Sequence, residues 1–308
     1  MEELKNASWV EKYRPKHVKD IIGQHTQKIL KYLENPLAVP NFIFYSRDGG
    51  TGKTSIMRAI VNDLGCDKLM LNASADRSID NVRGQIKNFL QGQSSKKNIK
   101  RCVMMDEAEK LSHDAMDALK NMIEEYSNNA FFIFTTNKIN KINSPMRSRF
   151  VCYDFGIINK IEIKNYLQNI CEKENLKYNE DGLNKLININ CPSIRKMISI
   201  MQDLKTQGLE LSSEFIVNPD DKFKYLFSLI QNKKYIELKK IILEKGINVE
   251  DFVDWIYRFC LRGELPLKQE IMIIQYCAVF DKDIKFGASS EIQFFSLIIN
   301  LMKVFKAE

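Results

Sequence analysis

The succession NFIFY (41–45), SRDGGTGKTS (46–55) and IMRAIVNDL (56–64) constrains the fold more than any other stretch: an apolar strand, a glycine-rich turn and a helix follow one another directly. In such a turn the backbone N–H groups from Gly50 to Thr54 can wrap a phosphate at a distance only glycine permits, with a helix N-terminus behind them. Within the pattern G-x-x-x-x-G-K-T, Lys53 would reach the β- and γ-phosphates and the Thr54 hydroxyl would bind magnesium. Gly50, Thr51, Gly52, Lys53, Thr54 and Ser55 are thus the expected phosphate-binding run. The strict pattern asks for glycine at 47, where this chain has Arg47. A glycine-rich turn that binds nothing is the competing reading, and the surrounding sequence has to decide.

That context is strand–helix alternation. KLMLN (68–72), RCVMMD (101–106), FFIFTT (131–136) and FVCYDF (150–155) read as further strands, and amphipathic stretches lie between them. In 112–126, Ser112 suits an N-cap, while Ala115, Met116, Leu119, Ile123 and Tyr126 share one face. The alternation implies a parallel sheet with helices on both sides. After about Phe155 the strand signal stops. Residues 160–208 read as several short helices interrupted by NINCPS (188–193). A second all-helical region runs from about Asp220 to the end, with Leu226, Leu229, Ile230, Leu238, Ile241 and Ile242 at helical spacing. VNPDDK (217–222) makes a natural break before it. The expected layout is an α/β domain over 1–156, a helical domain over 157–217 and a second helical domain over 218–308.

Composition narrows the class. The chain has 308 residues, 44% of them hydrophobic and 28% charged, which is ordinary for a globular protein. Its apolar runs are too short to span a bilayer, and MEELKNASWVEKYRP lacks the apolar core of a signal peptide, so a cytoplasmic or nuclear location is expected, with no membrane partner. The seven cysteines stand singly and away from the three histidines, which gives no support to a zinc site or a disulfide framework. Cys102 and Cys152 lie in strand-like runs and are expected to be buried. A net charge of +7 suits a phosphate-rich partner without requiring one.

The second chemical element is CVMMDEAE (102–109). An apolar strand there delivers two adjacent carboxylates, Asp106 to hold magnesium and Glu107 to polarise an attacking water. The same residues would also suit a plain acidic turn; their position about fifty residues after the glycine-rich loop, beyond another strand, favours function. Asn137, just past the strand at 131–136, could orient water beside a γ-phosphate, or could simply form a turn.

Taken together, these segments resemble the AAA+ sliding-clamp loaders. DEAE is close to their DEAD-like box. PMRSRF (145–150) resembles their Ser-Arg-Cys motif, with Phe150 in the cysteine position. EKYRP (11–15) with DIIGQ (20–24) resembles the N-terminal signature of replication factor C small subunits and phage clamp-loader ATPase subunits. NASADRSIDNVRGQIKNF (72–89) and PSIRKMI (192–198) resemble further segments of that family, in the right order across residues 11 to about 200. Beyond them the helical tail has the length of the family's collar.

The resemblance implies a RecA-like ATPase domain, a helical lid and a collar that assembles a ring, pentameric in such loaders. It implies ATP and magnesium as ligands. Asn137 would be sensor 1 and Arg195 sensor 2. Arg149 would be an arginine finger reaching a neighbouring subunit's ATP, with Arg147 as the competing candidate and a plain surface arginine as the bland reading of either. Val10, Glu11, Lys12, Tyr13 and Ile22 would line the base and ribose pocket, although core packing would also explain Tyr13 and Ile22. Arg83 and Lys87, four apart and so on one helix face, are the implied contacts to the phosphates of primer–template DNA. Arg77 is a third, and it would also couple DNA to Glu107. A solvated basic helix face remains the alternative for Arg83 and Lys87.

The expected function is therefore an ATP-hydrolysing subunit of a clamp loader, working with a sliding clamp, primer–template DNA and other loader subunits. Trp255, Tyr257, Phe294 and Phe295 in the tail are expected chiefly as helical core. Two rivals stand beside this reading: another AAA+ DNA machine, such as a helicase loader or branch-migration motor, and a non-catalytic scaffold. The first is disfavoured by EKYRP, SRF and the tail, the second by the intact Lys53, Thr54, Asp106, Glu107, Asn137 and Arg195.

Overall fold

Five short runs pair side by side, and three of them, FIFY (42–45), RCVMMD (101–106) and AFFIFTT (130–136), are buried along nearly their whole length, as strands covered on two sides must be. In the computed structural model, which describes residues 8–23, 25–74, 79–92, 96, 98–216 and 218–305, the chain forms two units, Met1–Ile216 and Val217–Glu308. The first begins with α1 (Trp9–Lys12) and α2 (Thr26–Leu33). It continues through β1 (Phe42–Tyr45), α3 (Lys53–Leu64), β2 (Lys68–Asn72), α4 (Ile79–Gln91), β3 (Arg101–Asp106) and α5 (His113–Glu125). Then come β4 (Ala130–Thr136), α6 (Ser144–Arg147) and β5 (Val151–Asp154). The strands lie in the order β2-β3-β4-β1-β5, with every pairing parallel.

Alternation along the strands sorts side chains between two cores. Phe42, Phe44, Cys102, Met104, Phe131 and Ile133 pack with Ile29 of α2 and Ile56, Met57 and Ile60 of α3. Ile43, Val103, Met105, Phe132 and Phe134 face the other way, onto Val82, Ile86 and Leu90 of α4 and Ala115, Met116 and Leu119 of α5. Helix α5 starts where its sequence says, with the Ser112 hydroxyl accepting the Ala115 N–H at 3.2 Å.

One expectation fails here. Cys102 is fully buried, but Cys152 is exposed. Cys152 is in register with Ile43 and shares its face, yet β5 is the edge strand, and α4 and α5 cover the strands further in. Its neighbour Tyr153, on the opposite face, is buried against Phe42 and Phe44.

A further helical layer follows in the same unit: α7 (Lys160–Glu174), α8 (Glu180–Asn190) and α9 (Ile194–Thr206). Its core of Ile163, Leu167, Leu183, Leu186, Met197 and Met201 also takes in Trp9 of α1. Among the described residues the second unit is five helices: α10 (Pro219–Gln231), α11 (Tyr235–Lys245), α12 (Val249–Cys260), α13 (Leu267–Lys285) and α14 (Ser290–Val304). Phe227, Phe252, Trp255, Phe259 and Phe294 are buried at its centre, and Phe295 packs beside them. Tyr257 departs from the expected core role. It is 42% exposed, because α12 turns it away from the stripe formed by Phe252, Trp255, Ile256 and Phe259.

Candidate active site

The phosphate loop is built by the strand-to-helix junction between β1 and α3. Gly50 (φ +76°) and Gly52 (φ +99°) adopt left-handed backbone that side chains disfavour. Gly52 is the N-cap of α3, so the unpaired N–H groups of the first helical turn open onto the loop. Arg47 is exposed, and the residue is absent from the positive-φ positions, so glycine is not demanded there.

Lys53 is 8% exposed, and its ammonium folds back onto the loop, donating to Ser46 Oγ at 2.7 Å and the Asp48 carbonyl at 2.9 Å. Burial lowers its pKa to about 8, against the attraction of Glu109, Asp106 and Asp48 and with the repulsion of Arg195. A desolvated ammonium resting on neutral oxygens is poised to exchange them for an anionic phosphate.

Thr54 opens α3 and Asp106 closes β3, and this brings the hydroxyl within 3.2 Å of both carboxylate oxygens. Asp106 also accepts from Thr135 at the end of β4. A hydroxyl and a carboxylate side by side are the hard oxygen donors that magnesium prefers, so the residues fit that ion. Glu107 follows in left-handed backbone (φ +56°), a strained conformation for a glutamate. Its N–H donates to Thr135 Oγ1 at 3.3 Å and its carboxylate accepts from the Ser74 hydroxyl. Asn137 stands just beyond β4, and its buried Oδ1 has no hydrogen-bond partner among the described residues. A buried amide oxygen without a protein partner just past the end of β4 suits the binding of a polar group.

The pocket next to the loop is lined at its phosphate end by residues 50–55 and Arg195. Val10, Tyr13, Pro15, Ile21, Ile22, Tyr166, Ile194 and Ile198 supply its apolar lining, and Arg14 also lines it. Of the residues expected around the base, Val10, Tyr13 and Ile22 line it. Glu11 and Lys12 do not: Glu11 pairs with Arg14 and Lys12 with Glu174, because the short α1 points them outward. Arg195 reaches the loop through its backbone, its N–H donating to the Gly50 carbonyl at 3.2 Å.

The remaining expected residues lie elsewhere in the unit. Arg149 pairs at the surface with Glu124, Nε to Oε1 at 2.8 Å, whereas the Arg147 Nε is buried. Phe150 fills a core slot against Phe134, ring centres 4.7 Å apart. Arg83 and Lys87 are both exposed on α4, on a flank next to the buried Val82 and Ile86. Arg77 lies outside the described residues.

Two family models match the chain: the ATPase family associated with various cellular activities over residues 47–154, and the replication factor C C-terminal domain over residues 218–300. The replication factor C small subunit of Methanothermobacter thermautotrophicus is 30% identical over 97% of this chain and 99% of its own length. The chain belongs to the replication factor C small-subunit family. It is a clamp-loader ATPase subunit. The small subunit of Methanocella arvoryzae is 29% identical over 94% of each chain, and a probable replication factor C subunit 5 of Dictyostelium discoideum is 28% identical over 96% of this chain and 90% of its own. Among solved structures, the Thermotoga maritima RuvB Holliday junction branch migration motor superposes with a TM-score of 0.55 over 78% of this chain and 86% of its own, at 16% identity. That likeness concerns the fold alone.

For a replication factor C small subunit, the pocket residues that motif reading missed are instructive. Tyr166, Ile194 and Ile198 come from α7 and α9, and in sequence they are indistinguishable from the apolar stripe that packs those helices. No helix of the described residues is long and apolar enough to cross a membrane.

Proposed function

We propose that the chain is a ring subunit that binds ATP to hold an open sliding clamp and primer–template DNA, and hydrolyses it to release the closed clamp. In this reading residues 1–156 are the ATPase domain, 157–217 the lid and 218–308 the collar of a pentameric ring. ATP is the substrate, with its phosphates on residues 50–55 and its base against the apolar lining of the pocket. Magnesium, held by Thr54 and Asp106, would neutralise phosphate charge. Glu107 accepts a proton from the attacking water, Asn137 orients that water, and Arg195 senses the γ-phosphate from the lid. Arg149 leaves Glu124 to reach the ATP of the adjacent subunit. Arg83 and Lys87 follow the DNA backbone without reading bases.

The observation that carries the reading is that Lys53 and Thr54 line the pocket at its phosphate end, with the Asp106 carboxylate 3.2 Å from the Thr54 hydroxyl and Glu107 next to it in the chain. A scaffold subunit has no need of such a set. The test is steady-state ATP hydrolysis by the assembled loader, with and without primer–template DNA, beside an Arg149→Ala variant. DNA should stimulate the rate several-fold, and the variant should bind ATP yet hydrolyse it about 10³-fold more slowly. A DNA-insensitive rate that survives the loss of Arg149 would refute the mechanism.

A further inference from the structure

Residues 9–14 precede the sheet in sequence, yet Trp9, Lys12 and Tyr13 find polar partners in the helical layer. The Tyr13 carbonyl accepts the Tyr166 hydroxyl at 2.6 Å. The Tyr13 hydroxyl donates to Glu174 Oε1 at 2.5 Å, and the Lys12 ammonium reaches the same oxygen at 2.5 Å. The Trp9 N–H donates to Gln202 Oε1 on α9 at 2.8 Å, and the Trp9 ring is part of the layer's core. Tyr166 and Glu174 are both on α7, eight residues and so roughly two turns apart, which puts them on neighbouring parts of one face. Together they grip Tyr13 at its backbone and at the tip of its ring.

What Tyr13 does between those grips follows from the pocket. The phosphate loop fixes one end of the ligand, and the apolar lining of the pocket includes Tyr13. A flat heterocycle with polar edges needs such a wall at a fixed distance from the phosphates. Glu174 does not itself line the pocket, and its side chain is 15% exposed. Burial works to raise its pKa, but the hydrogen bonds from Lys12 and Tyr13 and the charges of Lys12 and Lys205 outweigh this and hold the carboxylate below its ordinary range.

We propose that Glu174 is a positioning residue for recognition of the nucleotide base: by holding the Tyr13 hydroxyl and the Lys12 ammonium it fixes the Tyr13 ring as the wall on which the base of a purine nucleotide rests. This rests on the pocket being the nucleotide site, as proposed above.

The full chain carrying Glu174→Met, Glu174→Gln, Tyr13→Phe, or Glu174→Met with Tyr13→Phe is titrated with magnesium-ATP by calorimetry and assayed for hydrolysis. Methionine keeps the length and removes the acceptor; glutamine keeps an acceptor and loses the charge. Glu174→Met and Tyr13→Phe should each weaken ATP binding and raise KM by about three- to tenfold with kcat retained, and the double variant should lose no more than the worse single one. Glutamine should recover much of the loss. Wild-type affinity in Glu174→Met, fully additive losses, or a fall in kcat that tracks a lower unfolding temperature would overturn the proposal. If the unaltered chain binds no ATP, or Lys53→Ala binds it equally well, the nucleotide-site reading itself fails and takes this one with it.

Discussion

The Arg195 N–H donates to the Gly50 carbonyl at 3.2 Å, so the first turn of α9 sits directly on the phosphate loop. A Cβ at position 50 would lie 2.7 Å from Arg195 Cβ and 2.7 Å from Ser193 Oγ. Gly50 is therefore required twice, by its φ of +76° and by this approach. Gly50→Ala should force the start of α9 off the loop and weaken ATP binding by at least about tenfold, a loss of about 1.4 kcal/mol. Calorimetric titration with ATP checks this, and unaltered affinity would show that α9 rests on the loop without consequence.

Lys53 supplies a pH dependence whose sign is fixed. With its pKa lowered to about 8 by burial, the ammonium loses its proton above that pH, while the ligand needs it charged. ATP binding then requires proton uptake, and affinity should fall as pH rises above 8, by up to about tenfold per unit. The unfolded chain keeps the proton up to the ordinary value of 10.5, so between 8 and 10.5 this group makes the nucleotide-free fold more stable as pH rises. Lys53→Arg, which stays charged, should lose the slope in affinity. A flat profile in the unaltered protein, from about pH 7 to 9.5, would contradict the lowered pKa.

How far the sequence reaches is visible in particular residues. Strand β1, the glycine-rich turn and α3 are legible because local rules alone specify them: a short continuous apolar run, left-handed glycines and a helix start. Ser112 is legible for the same reason, since a cap depends on its own next three residues. Cys152 is not, because nothing in FVCYDF says that β5 lies at the edge of the sheet. The family resemblance implies Glu11 and Lys12 in the pocket beside Val10 and Tyr13, but it does not show that the one-turn α1 points these two outward. Tyr166 and Glu174 were invisible because their significance lies in contacts with residues about 150 positions earlier.

Asn137 allows function and stability to be separated. Its buried Oδ1 has no partner among the described residues, so in the nucleotide-free protein it is an unpaid desolvation. Asn137→Leu removes that oxygen at similar volume. The variant should unfold at the same temperature or higher, yet hydrolyse ATP about 10²–10³-fold more slowly, the usual cost of losing one aligned polar group. A destabilised variant of normal activity would mean that the amide serves the fold.

Phe150 marks where this chain parts from the Ser-Arg-Cys pattern it resembles, and its place in the core explains how the change is accommodated. The ring is 9% exposed and packs against Phe134 at 4.7 Å in the core under α5. Arg149 is held independently, its carbonyl accepting Asn41 Nδ2 at 3.1 Å. Phe150→Cys restores the pattern but removes most of a buried ring, and the surrounding Phe134, Ile142 and Met146 can close the void only in part. It should lower the unfolding free energy by about 2–4 kcal/mol. Hydrolysis by the assembled loader, measured well below the new melting temperature, should stay near its original rate, because the backbone that carries Arg149 keeps its own anchor. A large loss of DNA-stimulated activity in a variant that remains folded would instead show that the aromatic side chain helps to aim the arginine beside it.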